Sequence, residues 1–374
     1  MFANYTPSDP SIGITKKIHS EICTLRKQGM EVWYTAYDHK AIAIFNNQDV
    51  AVLRMPYPFP ISLFQTKIRY YWLEKVALGF LQKNADFDLG YFRLGPPNRL
   101  LFKMFEELKK SGARIIAESL AYFPGMKYNS LGGKYIMHCF RKNEHRFKDY
   151  IDYLLCEGNF TQLFGVPAYS MNMGVDVEKI TPHHYSGTID ELNLISVGNE
   201  RNYHAYDRII ESLYAYKGTQ KVKIHLVGTV TDTTKALIDQ HKLENSVILY
   251  GKKSGKELDE IYDKCNLGLG PLGQHRVGGK KDTGLKTKEY FAKGLPYIYS
   301  GDEPTVPDGY PYICKFPSDE SLIDLDQVWN FYQSYANDPD VTQKMRAFAA
   351  ENYSWDKIMS DALSHLDEKT HGKD

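Results

Sequence analysis

Apolar residues recur along this chain at two spacings. Ile14, Ile18, Ile22 and Leu25 share one face at helical spacing and predict a helix from Ile14 to Gln28, closed by Gly29. Phe2–Tyr5 reads as a short strand before it, joined by a loop from Thr6 to Ile12, and Glu31–Thr35 as the strand after it. Strand, loop, helix and strand predict a βαβ opening. Phe87–Arg93 and Arg114–Glu118 read as further strands. In the second half, strands are predicted at Leu192–Val197, Val222–Val227, Ser246–Tyr250 and Leu267–Gly270, with helices from Ile209 and at Lys256–Lys264. Strands alternating with helices predict an α/β fold.

One stretch combines clear punctuation with candidate chemistry. Leu285 to Lys293 consists of good helix formers, with Thr287 the one β-branched residue. Gly294 stands where a helix needs a left-handed residue, Pro296 prevents continuation, and Tyr297–Tyr299 reads as a strand. Lys286, Glu289 and Lys293 fall on one helix face, while Leu285 and Phe291 suit a core. Free N–H groups at a helix start attract phosphate, and Lys286 adds a full charge there. Glu289 can accept two hydrogen bonds from a ribose diol. Together they describe a nucleotide-sugar site. An exposed ion pair worth a few tenths of a kcal/mol accounts for the same spacing.

Composition narrows the alternatives. A length of 374 residues suits two domains. Lys and Arg total 46 and so do Asp and Glu, so no net charge points to nucleic acid. The five cysteines are scattered without a Cys-x-x-Cys pair, which speaks for a reducing compartment and against a disulfide framework or zinc site. No apolar run reaches the roughly 18 residues of a spanning helix, and no signal peptide is read at Met1, so a cytoplasmic protein is expected. Leu63–Gln82 mixes Lys67, Arg69 and Lys75 with aromatic residues. Such a helix can lie on an anionic membrane surface, or pack on the first domain's sheet.

The run Lys288-Glu289-Tyr290-Phe291-Ala292-Lys293-Gly294-Leu295-Pro296 resembles the donor-site signature of GT-B glycosyltransferases, above all family four and its capsular and exopolysaccharide-cluster relatives. The resemblance implies that Glu289 holds the ribose hydroxyls, with Thr287 beside it. The family's earlier glutamate is replaced by Lys281, next to Asp282. In Gly198-Asn199-Glu200-Arg201-Asn202-Tyr203-His204-Ala205, the family's Gly-Arg and Lys-Gly become Gly198-Asn199 and His204-Ala205. Arg201 or Arg208 then supplies the charge for the donor diphosphate. His275 and Arg276, in the glycine-rich loop Pro271 to Gly279, resemble the His-Arg of the capsule-cluster enzymes. Gly13 matches the N-terminal glycine loop. Arg93 and Glu118 match strand ends that face the cleft, with a structural ion pair as the other reading. The Asn172–Asp176 turn, the Thr181–Glu191 linker and the Ser354-Trp355 motif resemble the family's domain junctions.

The resemblance implies two Rossmann-like doubly wound domains with a cleft between them. Residues 1–182 form an acceptor-binding domain, 183–345 a nucleotide-sugar-binding domain, and 346–374 a helix crossing back to the first. It implies a retaining, metal-independent, hexosyltransferase-like enzyme of polysaccharide biosynthesis. Arg276, Lys286 and Glu118 are its expected catalytic residues, and Glu289, Gly13, His275, Arg201, His204, Thr287 and Gly198 its donor-binding ones. The expected donor is a UDP-sugar, with no cofactor and no metal. The expected acceptor is a glycan or lipid-linked oligosaccharide, met in the cytoplasm or at the inner face of the membrane. A non-catalytic nucleotide- or carbohydrate-binding protein, or a GT-B epimerase, are the competing readings.

Overall fold

The computed structural model describes residues 1–7, 13–57, 65–84, 86–119, 131–156, 160–184, 189–277 and 284–368. The chain divides into two compact units, residues 1–172 with 355–374, and residues 173–354.

The first unit contains α1 (Gly13–Lys27), β1 (Tyr34–Asp38), β2 (Ala41–Phe45), β3 (Ala51–Pro56), α2 (Gln65–Leu81), β4 (Leu89–Arg93) and α3 (Arg99–Lys110). It continues with β5 (Arg114–Ser119), α4 (Leu131–Asn143), β6 (Tyr153–Cys156), β7 (Gln162–Leu163) and β8 (Val166–Ser170). Its larger sheet has the order β4-β5-β6-β8-β7, parallel except for β7. Alternation along the strands decides the faces. Phe92, Ile115, Ala117 and Leu154 point into one core with α2 and α3. Tyr91, Ile116, Tyr153 and Leu155 point into another, shared with Ile18 and Ile22 of α1.

The opening strand does not form as expected. Phe2 bridges Phe92 and Tyr5 bridges Ala36, but between them the Thr35 hydroxyl accepts from Ala3 N–H at 3.0 Å and donates to its carbonyl at 2.9 Å. A side chain has taken the place of a ladder rung. β1 then turns back at His39 and Lys40, both at positive φ, into an antiparallel β1-β2-β3 sheet. Leu73, Val76 and Leu78 of α2 are buried, whereas Tyr71 and Lys75 are exposed.

The second unit contains β9 (Glu191–Val197), α5 (Tyr206–Ala215), β10 (Lys221–Val227), α6 (Asp232–His241), β11 (Val247–Gly251), α7 (Gly255–Tyr262) and β12 (Leu267–Leu269). Then come α8 (Leu285–Lys293), β13 (Tyr297–Ser300), β14 (Ile313–Phe316), α9 (Leu325–Tyr335) and α10 (Val341–Asn352). Its six-stranded sheet has the order β11-β10-β9-β12-β13-β14, parallel throughout. The order reverses between β9 and β12, and in such sheets ligands bind beyond the carboxyl ends of the strands at that reversal. The last helix, α11 (Trp355–Glu368), belongs to the first unit, where Trp355, Ile358 and Met359 are buried.

The boundaries differ from those expected at 182 and 345. The segment after Asn172 belongs to the second unit because α10 grips it. Val175 N–H donates to the Tyr353 carbonyl at 2.8 Å. The Arg346 guanidinium donates to the carbonyls of Val177 at 3.0 Å and Ile180 at 2.9 Å. A guanidinium that satisfies carbonyls of a passing segment fixes that segment to its own helix. Among the described residues no helix is long and apolar enough to cross a membrane.

Candidate functional site

The carboxyl end of β9 is framed by backbone packed on backbone. Gly198, at φ 131°, donates its N–H to the Val227 carbonyl at 2.8 Å. A Cβ on Gly228 would lie 2.2 Å from the Gly198 carbonyl oxygen, so this crossing tolerates no side chain there. Beyond it, Asn199 Oδ1 accepts from the Thr229 hydroxyl at 2.8 Å. Glu200 accepts from Thr231 N–H and the Thr234 hydroxyl, both at 2.6 Å, at the first turn of α6. A carboxylate at a helix N-terminus is favoured by the exposed N–H groups.

The loop then buries His204. Its Nδ1 accepts from the Arg201 N–H at 3.2 Å, and its ring stacks 5.4 Å from that of Tyr206. Burial, then the charges of Lys286 and Arg201, lower the imidazole pKa to about 3. His204 is therefore neutral near pH 7 and brings no charge to a phosphate, unlike the lysine at this place in the resembled family. Ala205 follows at φ 50°, a left-handed position that costs a non-glycine residue about 1–2 kcal/mol.

Helix α8 forms between the limits read from sequence. Gly294 caps it in the left-handed region, and a Cβ there would meet the Thr342 backbone at 2.6 Å. From its first turn, Lys286 Nζ donates to Ser196 Oγ at 2.8 Å and lies 5.9 Å from the Tyr206 ring centre. Ser196 Oγ and the Tyr206 hydroxyl are 3.0 Å apart. Burial pushes the Tyr206 phenol up to about 12. Lys286 is thus brought together with Gly198, His204, Ser196 and Tyr206 at the strand-order reversal. Glu289, one turn on, is half-buried. Thr287 is fully buried instead, donating to Glu303 at 3.1 Å. Its side chain supports the helix from below. Lys293, expected on the Lys286 face, is also buried, donating to Asp259 at 2.8 Å and to the Thr181 carbonyl at 3.1 Å.

Loop 271–277 laces onto the first loop, with Gly273 N–H donating to the Tyr203 carbonyl at 2.9 Å. Arg276 reaches from it to two carboxylates. Its Nη1 donates to Asp207 at 2.7 Å and its Nε to Glu320 at 2.8 Å. His275 Nε2 stands 2.6 Å from the same Glu320. Hydrogen bonds from Arg276, then His275, draw the Glu320 carboxyl down to about 2. Arg201 and Arg276 line an open concavity of about 440 Å3 with Thr231 and Thr234. Arg208, the other arginine considered for the diphosphate, is buried and donates to the carbonyls of Leu272 at 2.7 Å and Pro317 at 3.0 Å. It is a loop anchor. Ser196, Tyr206, Asp207 and Glu320 carry no local signal in the sequence.

The remaining expected residues lie in the first unit. Gly13 starts α1. Glu118, at the end of β5, is buried among Lys17, Glu21 and Arg93. Arg93 lies 2.7 Å from Glu118 and 3.2 Å from Glu21. Both oxygens of Glu118 face cations within the unit, so the ion-pair reading describes it and a free catalytic carboxylate does not. Lys281 and Asp282 fall outside the described residues. Among the described residues no group of three or more His, Cys, Asp or Glu is placed to hold a metal ion.

Residues 187–310 match the family model of Glycosyl transferases group 1, wholly within the second unit. No curated protein matches the chain by sequence. The structure is similar to a glycosyltransferase of Rickettsia africae, with a TM-score of 0.63 at 12% identity over 100% of this chain and 99% of that one. It is similar to sucrose-phosphate synthase of Thermosynechococcus elongatus, with a TM-score of 0.61 at 12% identity over 98% and 100%. Anabaena HepE, solved with UDP-glucose, gives a TM-score of 0.53 at 11% identity over 98% and 100%. These likenesses establish the fold, two Rossmann-like units of the GT-B type.

Proposed function

We propose that this chain, whose second unit matches the group 1 glycosyl transferases, moves a sugar from a nucleotide-diphosphate sugar to a glycan or lipid-linked acceptor. One observation carries the reading. The first turn of α8 brings the Lys286 ammonium to Ser196 at the carboxyl end of β9, beside the strand-order reversal and inside the matched segment. An ammonium at a helix start is a site for a dianion. Charge grows on the diphosphate as the sugar bond breaks, so a fixed cation there lowers the barrier. Glu289 is the ribose acceptor, and Arg276 a second cation once the donor competes with Asp207 and Glu320 for it. With these cations the reaction needs no divalent ion, and we assign retention of configuration with no enzymic nucleophile. HepE, solved with UDP-glucose, supports UDP as the nucleotide. A lipid-linked acceptor would bring the chain to a membrane, where Tyr71 and Lys75 of α2 are exposed.

A binding-only protein is the second reading. It is favoured by Asn199, engaged with Thr229, and by neutral His204, since both stand where the resembled family carries cations. Calorimetric titration with UDP-sugars tests the site. Glu289→Ala should weaken donor binding about 10- to 100-fold, as expected for hydrogen bonds to a charged group of about 1.5–3 kcal/mol. Lys286→Ala should lower kcat more than donor affinity. Unchanged affinity for every UDP-sugar in Glu289→Ala removes the ribose assignment. Donor binding without hydrolysis or transfer, across a panel of acceptors, favours the second reading.

A further inference from the structure

Helix α8 is tied to β9 at two successive residues, Ile195 and Ser196. Tyr290, one turn after Lys286 and on the same face, shares its hydroxyl proton between the carbonyls of Ile195 at 2.9 Å and Leu269 at 3.1 Å. The ring of Tyr290 is fully buried, and a Cβ on Gly268 would stand 2.7 Å from it, so β12 leaves that room only as glycine. The helix backbone is thereby fixed over the carboxyl ends of β9 and β12. Lys286 needs a second fixing. Its ammonium sits at the end of a flexible stem, and the position of the helix does not decide where that charge points.

Two buried hydroxyls decide it. An ammonium only donates, so Ser196 Oγ is the acceptor in its 2.8 Å bond with Lys286 Nζ. The Tyr206 hydroxyl lies 3.0 Å from the same Oγ, and both residues are almost wholly buried. A serine hydroxyl alone turns about its Cβ–Oγ bond; one engaged by a second hydroxyl holds its lone pairs in one direction. Burial raises the Tyr206 phenol to about 12, so it stays a neutral hydroxyl near pH 7. Its ring is held in turn. His204 stacks on one side with 23° between the planes, and Lys286 Nζ lies 5.9 Å from the ring centre. Where the resembled family carries a lysine, this chain places the neutral ring that backs the tyrosine. A cation set in place before the donor arrives needs no reorganisation during the reaction.

We propose that Ser196 and Tyr206 are positioning residues, whose linked hydroxyls hold the Lys286 ammonium where the leaving diphosphate gathers charge. The role of Lys286 rests on the transferase reading; the way it is held rests on the distances alone. Ser196→Ala and Tyr206→Phe each remove one hydroxyl and keep the remaining shape. With UDP-sugar and acceptor, each should lower kcat about tenfold and move the donor KM less than about threefold, since a misplacement of about 1 Å costs up to about 100-fold. In a Lys286→Ala background, neither should lower kcat by more than about a further twofold, because the group they position is gone. A full additional loss in that background, or a raised KM with kcat unchanged, overturns the proposal. A second readout does not depend on turnover. After reductive methylation of the full chain with isotope-labelled formaldehyde, the dimethyl-lysine NMR signal that Lys286→Ala abolishes should shift in both variants. A signal that neither variant moves overturns the proposal, even in an active enzyme. Should one variant melt early, the other decides alone. A shifted signal in a chain that neither binds UDP nor transfers sugar counts against the transferase reading and not against the hold on Lys286.

Discussion

Lys288 has three N–H bonds to satisfy on a fully buried side chain. Glu303 takes one at 2.7 Å, Thr305 another at 3.0 Å, and the Tyr353 ring lies 4.6 Å away. Both charged partners are fully buried, so removing one leaves the other uncompensated. Lys288→Ala should cost about 3–5 kcal/mol in denaturant unfolding, with part recovered on adding Glu303→Gln. A loss under about 1 kcal/mol would show that water enters the pair. Exposed carboxylates behave differently. Glu320 is drawn to Arg276, yet its side chain is 60% exposed, so Glu320→Gln should change stability by less than about 1 kcal/mol. In our reading it should tighten UDP binding a few-fold, by releasing Arg276 and removing a negative charge. Weaker UDP binding in Glu320→Gln would instead make Glu320 the residue that holds Arg276 in place. Legibility at this scale follows locality. Lys286 and Glu289 were readable from helical spacing. The burial of Lys288 and Lys293 has no local signal, because their partners Glu303, Thr305 and Asp259 come from other elements.

Among elements, α8 was readable to the residue because Gly294 and Pro296 mark its end. The β1–β2 hairpin was not, since His39-Lys40 lacks the usual glycine or asparagine of a two-residue turn. The junction of α2 and α3 was equally hidden. Asn98 caps α3, accepting from Leu100 N–H at 2.7 Å, and donates to Glu74 of α2 at 2.6 Å. Burial raises the Glu74 carboxyl to about 7, and the bond from Asn98 only partly opposes it. A folded pKa above the unfolded one gives stability that is complete below about pH 4.5 and lost as pH rises through about 7. Glu74→Gln keeps the shape and an acceptor oxygen without the charge. Its advantage over the unaltered chain should be small at pH 5 and grow to about 2–3 kcal/mol at pH 8. Thermal melts at the two pH values measure the gap, and a gap that does not grow with pH contradicts the assignment.

At the scale of the molecule, each unit has its own core, and their titratable groups differ. The family match lies within the second unit, whose strand and glycine pattern is also the more legible in sequence. The first unit's hairpin and its Lys17, Glu21, Arg93 and Glu118 cluster depend on contacts distant along the chain. The second unit holds His183, His204 and His225, all lowered by burial, to about 4, 3 and 4. His225 shows how: its ring nitrogens stand 2.8 Å from Asn193 Oδ1 and 2.9 Å from the Tyr250 hydroxyl, an arrangement that suits a neutral ring. Each folded pKa lies below the unfolded value of 6.5, so the stability these rings contribute is present above pH 6.5 and lost as pH falls through about 4. In the first unit, acid favours the fold through Glu74. Calorimetry of the full chain should therefore show two transitions. UDP at a hundred times its Kd should raise one by about 5–10 °C, since it adds about 2.7 kcal/mol at about 2–4 °C per kcal/mol. Lowering the pH from 7.5 to 5 should depress that same transition by several degrees more than the other. Acid lability confined to the transition that UDP leaves unmoved would place either the nucleotide or the buried histidines in the wrong unit.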